Sequence, residues 1–109
     1  MIEIKTMFKT YKDCYLSIGK YQADGRIAIG AWNMEDGPIA TLTVCLDDHM
    51  KSSLPDETYI DTNNCPFAVS LLKKYGIASV TGKWGFSGFC SYPLMKIDLN
   101  EARKHEYVE

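Results

Sequence analysis

Asn63-Asn64-Cys65-Pro66-Phe67-Ala68-Val69-Ser70-Leu71-Leu72-Lys73-Lys74-Tyr75-Gly76 is the stretch on which the fold class turns, because its apolar residues repeat with a helical period while the segments around it alternate as strands. The side-chain oxygen of Asn63 or Asn64 can cap a helix, and Pro66 suits a first turn, where its missing N–H costs nothing. Gly76 is a stop signal after Lys73-Lys74-Tyr75. Phe67, Ala68, Leu71, Leu72 and Tyr75 fall at i, i+1, i+4, i+5 and i+8, which lays an apolar stripe along one face. That stripe requires a sheet to pack on.

Outward from the helix the chain reads as strands. Met1 to Phe8 alternates in part, and Cys14 to Tyr21 alternates more cleanly, with Cys14, Leu16 and Ile18 opposite Tyr15, Ser17 and Gly19. Ala23-Asp24-Gly25 supplies a turn, and Arg26 to Asn33 returns through Ile27, Ile29 and Ala31 as the second arm of a hairpin. Glu35-Asp36-Gly37-Pro38 makes the next turn, after which Ile39 to Leu46 is the strongest strand, its threonine face the wetter one. Asp47 to Asp56 reads as a loop and Thr58 to Asp61 as a short strand. After the helix, Ile77 to Thr81 and Tyr92 to Leu99 are extended, and Asn100 can cap a short helix reaching His105. The expectation is α+β: an antiparallel β-sheet meander packed against one main α-helix, with a short C-terminal helix, residues 1–109 forming a single domain.

Composition narrows the function classes. With 109 residues, 46% of them hydrophobic, the chain can bury a core unaided, which argues against disorder. A formal charge of -2 is too weak a field for a protein that tracks phosphates, so nucleic acid is unsupported as a partner. The apolar runs fall short of the roughly 20 residues a membrane span needs. Met1-Ile2-Glu3-Ile4-Lys5 has neither a charged leader nor an apolar signal core, and the expected location is cytoplasmic.

Four cysteines, at 14, 45, 65 and 90, would allow three pairings in a secreted chain. Without a signal peptide, reduced thiols are expected. A zinc site from Cys45, His49, Cys65 and Cys90 is chemically allowed, but thiols acting as small hydrophobes are the favoured reading, with no cofactor. Asp47-Asp48-His49 sets two carboxylates beside an imidazole, although neighbours on a loop point apart and such clusters are mostly solvated turns. Cys65 precedes the helix, where a dipole could lower its pKa, but no histidine is placed by sequence to act as its base. No catalytic residue is assigned.

The remaining signal is Thr81-Gly82-Lys83-Trp84-Gly85-Phe86-Ser87-Gly88-Phe89-Cys90-Ser91-Tyr92-Pro93. Its glycines match neither a phosphate loop nor a dinucleotide fingerprint, and they imply a shaped, tightly turned loop. Rings in that loop could stack on bases, but only Lys83 and Lys96 are near to form a basic groove. Plugging the end of the core is the plainer alternative. Where the rings are presented outward, protein contact fits best, with Trp84, Phe86, Phe89, Tyr92 and Lys83 as the partner-binding set.

The series Asp61-Thr62-Asn63-Asn64-Cys65-Pro66, Lys74-Tyr75-Gly76, Thr81-Gly82 and Ser87-Gly88-Phe89-Cys90-Ser91-Tyr92-Pro93 resembles the bacterial family of domain of unknown function 4313. The resemblance covers most of the chain, with its specific motifs confined to residues 61 to 93. It supplies no catalytic residues. It implies a mobile-element or prophage context, in which short proteins without an active site often bind and inhibit a host defence protein. The expected function is therefore a non-enzymatic protein-binding module, of which an anti-CRISPR inhibitor acting by steric block of a Cas nuclease is one form. A nucleic-acid accessory protein using the same loop and a small zinc or thiol protein are the alternatives.

Overall fold

Cys14, Leu16 and Ile18 on one strand and Ile27, Ile29 and Ala31 on the next each turn an apolar edge the same way, so pairing them builds a one-sided sheet. In the computed structural model, which describes residues 2–23, 25–46 and 55–108, these strands are β2 (Thr10–Lys20) and β3 (Ile27–Asn33), antiparallel, with Leu16 opposite Ala31 and Ile18 opposite Ile29. β1 (Ile2–Lys5) pairs with β2 and β4 (Gly37–Thr41) with β3, giving the order β1-β2-β3-β4. The β3–β4 turn is closed by Asn33, whose Oδ1 accepts the Asp36 N–H at 2.6 Å, and by Gly37 at φ +74°.

A second sheet follows. β5 (Thr43–Val44), β6 (Glu57–Ile60), β7 (Ala78–Ser87) and β8 (Cys90–Ile97) pair antiparallel in the order β5-β6-β8-β7. Among the described residues the fold is thus mostly β, two four-stranded antiparallel sheets, and the expected α+β meander on one main helix is corrected. The helices are minor: α1 (Ala68–Lys74) has seven residues and α2 (Leu99–Arg103) five.

Three features explain the difference. First, Ile39 to Leu46 alternates without interruption but changes sheets at Leu42. The Leu42 N–H donates to the Ile29 carbonyl, while its own carbonyl accepts from Asp61 N–H. A period of two is the same in either sheet, so alternation cannot report the switch. Thr43 is accordingly buried, its Oγ1 accepting the Ile29 N–H at 3.1 Å and sharing a hydrogen bond with the Tyr21 hydroxyl at 2.9 Å, whereas Thr41 is exposed. Second, the glycine and aromatic segment expected as a loop is strand on both arms. Third, the asparagines do not cap α1: the Asp61 carboxylate accepts both the Asn64 backbone N–H (3.2 Å) and its side-chain amide (2.9 Å), and the helix begins only after Phe67. Its C-terminus follows expectation. Gly76 takes φ +68°, its N–H donates to the Lys73 carbonyl, and Ile77 N–H donates to the Leu72 carbonyl, the paired bonds that close a helix on a left-handed residue.

The core lies between the sheets, where Ile4, Leu16 and Ile29 meet Leu42, Ile60 and Met95, with Leu71 and Leu72 of α1 closing one side. A smaller cluster of Leu46, Tyr59, Tyr92 and Leu94 forms separately, with the Arg26 guanidinium 4.8 Å from the Tyr59 ring centroid. Asp98, rather than Asn100, caps α2 by accepting the Glu101 N–H. The chain then returns to β2, where Leu16 N–H donates to the His105 carbonyl. No helix among the described residues is long and apolar enough to cross a membrane.

Candidate functional site

The three glycines of the β7–β8 hairpin each solve a different problem. Gly82, at φ +83°, sits in a bulge where the register shifts between Val80 and Trp84. The Thr81 hydroxyl pins that bulge, donating to the Leu94 carbonyl at 2.8 Å and accepting the Lys83 N–H at 3.1 Å. Gly85 is buried, and a Cβ there would come within 2.6 Å of Leu46 Cδ1 and Tyr59 Cε1. Gly88, at φ +61°, opens the Gly88-Phe89 turn between Ser87 and Cys90, the glycine-first arrangement of a type II′ hairpin.

Cross-strand partners share a face of the sheet. Val80 lies opposite Met95, Trp84 opposite Pro93 and Phe86 opposite Ser91, while Gly85 lies opposite Tyr92. Val80, Trp84 and Phe86 therefore continue the face on which Met95 is fully buried in the core. Along the hairpin that face runs out uncovered: Trp84 is 51% exposed, Phe86 71% and Phe89 at the turn entirely so. Contiguous apolar surface of this kind marks a contact site more often than scattered single residues do. Lys83 is exposed beside the rings. Tyr92 is buried on the opposite face with Leu46, Tyr59 and Leu94, so the structure brings together Lys83, Trp84, Phe86 and Phe89 and sets Tyr92 apart.

The other expected chemistry is dispersed. All four cysteines are thiols. Burial pushes the Cys14 thiol up, and burial reinforced by Asp61 pushes up that of Cys65, whose Sγ donates to the Thr41 carbonyl at 3.4 Å. A thiol held in its protonated form is the opposite of an activated nucleophile. Cys45 and Cys90 are half-buried. Among the described residues no three His, Cys, Asp or Glu side chains gather to hold a metal ion. Asp47, Asp48 and His49 lie outside the described residues.

One feature escaped the sequence reading and another was legible only in part. Met7 and Phe8 are exposed in the β1–β2 turn, where the Thr6 hydroxyl accepts the N–H groups of Phe8 and Lys9. The Thr6 to Lys9 spacing is the only local signal of that turn. Tyr15, Trp32 and Tyr107 form a ring cluster on the outer face of the first sheet, with centroids 5.2 to 5.7 Å apart. Tyr15 and Trp32 alternate out of the core in their strands, but the arrival of Tyr107 is a long-range event. A cleft of about 690 Å³ lies between Asp56, Ile77 and the start of α2, and its Lys96 ammonium stands 3.9 Å from Asp56.

A family model described as Domain of unknown function (DUF4313) matches residues 15–109. No curated protein and no solved structure matches the chain.

Proposed function

We propose, from the premise that the chain belongs to the DUF4313 family of domains of unknown function, that it is a non-enzymatic protein-binding module whose contact surface is the β7–β8 hairpin. The observation that carries this reading is the exposure of Trp84, Phe86 and Phe89 on one hairpin. Aromatic residues on a well-formed strand lose little further entropy on binding, which is why rings dominate interface energetics. A domain of this size can offer the ~800 Å² per partner of a standard interface. The family resemblance extends the reading to a mobile element or prophage, and to a CRISPR nuclease as the partner to try first. Inhibition would be steric, by covering a guide or target channel.

The test is a cleavage and capture assay with a panel of CRISPR nucleases, comparing the intact protein with the Trp84→Ala/Phe86→Ala variant. Capture should weaken by at least ~2 kcal/mol, the hot-spot scale, with the melting temperature little changed and with weak dependence on salt. Undiminished capture by the folded variant would move the interface elsewhere, with the Tyr15–Trp32–Tyr107 cluster next in line. Capture of single-stranded nucleic acid that falls steeply with salt would instead support the accessory-protein reading.

A further inference from the structure

We infer that the open edge of β7 pairs with the same strand of a second copy, so that the chain forms an antiparallel, two-fold dimer through residues 83 to 87. The inference rests on the reading of this hairpin as an interaction surface and names one occupant for it.

The geometry starts at Pro93. Having no N–H, Pro93 cannot complete a bonded pair with Trp84, which lies opposite it. Antiparallel pairs alternate between bonded and non-bonded. Gly85–Tyr92 and Ser87–Cys90 are therefore the bonded pairs, and Trp84 and Phe86 turn their N–H and C=O groups away from β8. Since β7 ends the order β5-β6-β8-β7, those groups face the open edge, and among the described residues no strand pairs with them. The residues with outward backbone groups are the ones with exposed rings.

A two-fold axis through Gly85 satisfies both. Each Trp84 then exchanges two hydrogen bonds with the Phe86 of the other copy, and the sheet continues across the axis. Trp84 and Phe86 rings become cross-strand neighbours in two equivalent pairs. Lys83 falls opposite Ser87, so no like charges meet. Edge strands are normally protected by charges, proline or bulges. Lys83 is the only charged residue from Ala78 to Phe89, and the bulge lies N-terminal of Trp84, so the stretch from Trp84 to Ser87 has no such protection.

The area agrees with a weak assembly. At roughly 150–250 Å² per ring, the exposed fractions of Trp84 and Phe86, 51% and 71%, leave about 180–300 Å² of aromatic surface per copy, to which the strand edge and the Lys83 stem add. That keeps the contact below the ~800 Å² per partner of a standard interface, in the range of weak assemblies. Weak association follows, and it would compete with a protein partner for the same rings.

The intact chain should be followed by sedimentation velocity from micromolar to near-millimolar concentration, with amide hydrogen exchange at both ends of that range. A monomer–dimer equilibrium is expected, with the Trp84 and Phe86 amides gaining protection at high concentration and those of Gly85 and Ser87, already bonded to β8, unchanged. Trp84→Glu and Phe86→Lys should each weaken the dimer at least ~10-fold, and mixing the two should recover it, because the register sets position 84 beside position 86. A monomer at every concentration, open-ended oligomers, or a dimer whose exchange pattern ignores β7 would each overturn the inference. A monomeric chain whose ring variants still lose a protein partner would leave the proposed function standing. A β7 dimer whose folded ring variants capture their partner as well as before would do the reverse.

Discussion

Gly85 shows at the scale of one residue how a glycine can be a packing requirement without being a turn. It lies within β7, outside the left-handed region, with the side chains of Leu46 and Tyr59 where a Cβ would stand. Gly82 and Gly88 have open space at the same position and are there for their positive φ. Gly85→Ala should therefore act by overpacking and cost roughly 1–3 kcal/mol in denaturant unfolding. Because Tyr59 belongs to the small cluster with Tyr92 and Leu94, the near-ultraviolet tyrosine signal should change with it. A cost near zero with an unaltered tyrosine signal would mean that Tyr59 does not rest on β7.

Among the elements, α1 shows most clearly what patterning can and cannot reveal. Its stop was legible because Gly76 needs a left-handed backbone, a property of one residue. Its start was not, because Asn64, which looks like a cap, is engaged by Asp61 in a turn one step earlier. Seven residues are too few to hold a helix in water by themselves, so docking holds it. Leu72, fully buried within the stripe, should lose ~2–5 kcal/mol on change to Ala. A loss below about half a kcal/mol on that scale would show the helix to be undocked. The β2–β3 hairpin was legible for the same local reasons, a period of two and a Gly turn. The division of Ile39 to Leu46 between two sheets was not, since it depends on Ile29 and Asp61, residues far away in sequence that bond Leu42 from either side. At the candidate site the sequence identified the rings of the glycine segment, but not that they sit on an edge strand or that Tyr92 faces the other way, both of which follow from register.

At the scale of the whole molecule, the C-terminal segment ties separate parts together, and His105 is where that tie responds to pH. The His105 carbonyl bonds β2 at Leu16, its ring meets Tyr75 edge-on at 5.5 Å between centroids, and the Tyr75 hydroxyl accepts the Glu3 N–H of β1 at 3.0 Å. His105 Nδ1 is buried without a hydrogen-bond partner. Burial, the largest cause, holds the imidazole pKa below its ordinary value, with Lys104 adding to the shift and Glu101 opposing it. The folded chain thus favours neutral His105, while the unfolded chain takes up its proton near the ordinary histidine value of about 6.5. Stability contributed by this group is present above that value and declines as the pH falls through it toward the lower folded-state pKa. The melting temperature should accordingly drop between about pH 7 and pH 5 on this account, and Tyr107, which packs on Tyr15 and Trp32 beyond the tie, should report loosening of the segment by a change in Trp32 fluorescence. His105→Phe keeps the ring contact and the backbone bond while removing the titration, so its melting temperature should be flatter across that window. If the wild type and His105→Phe fall in parallel, the pH sensitivity belongs to other groups and the buried imidazole is not the sensor.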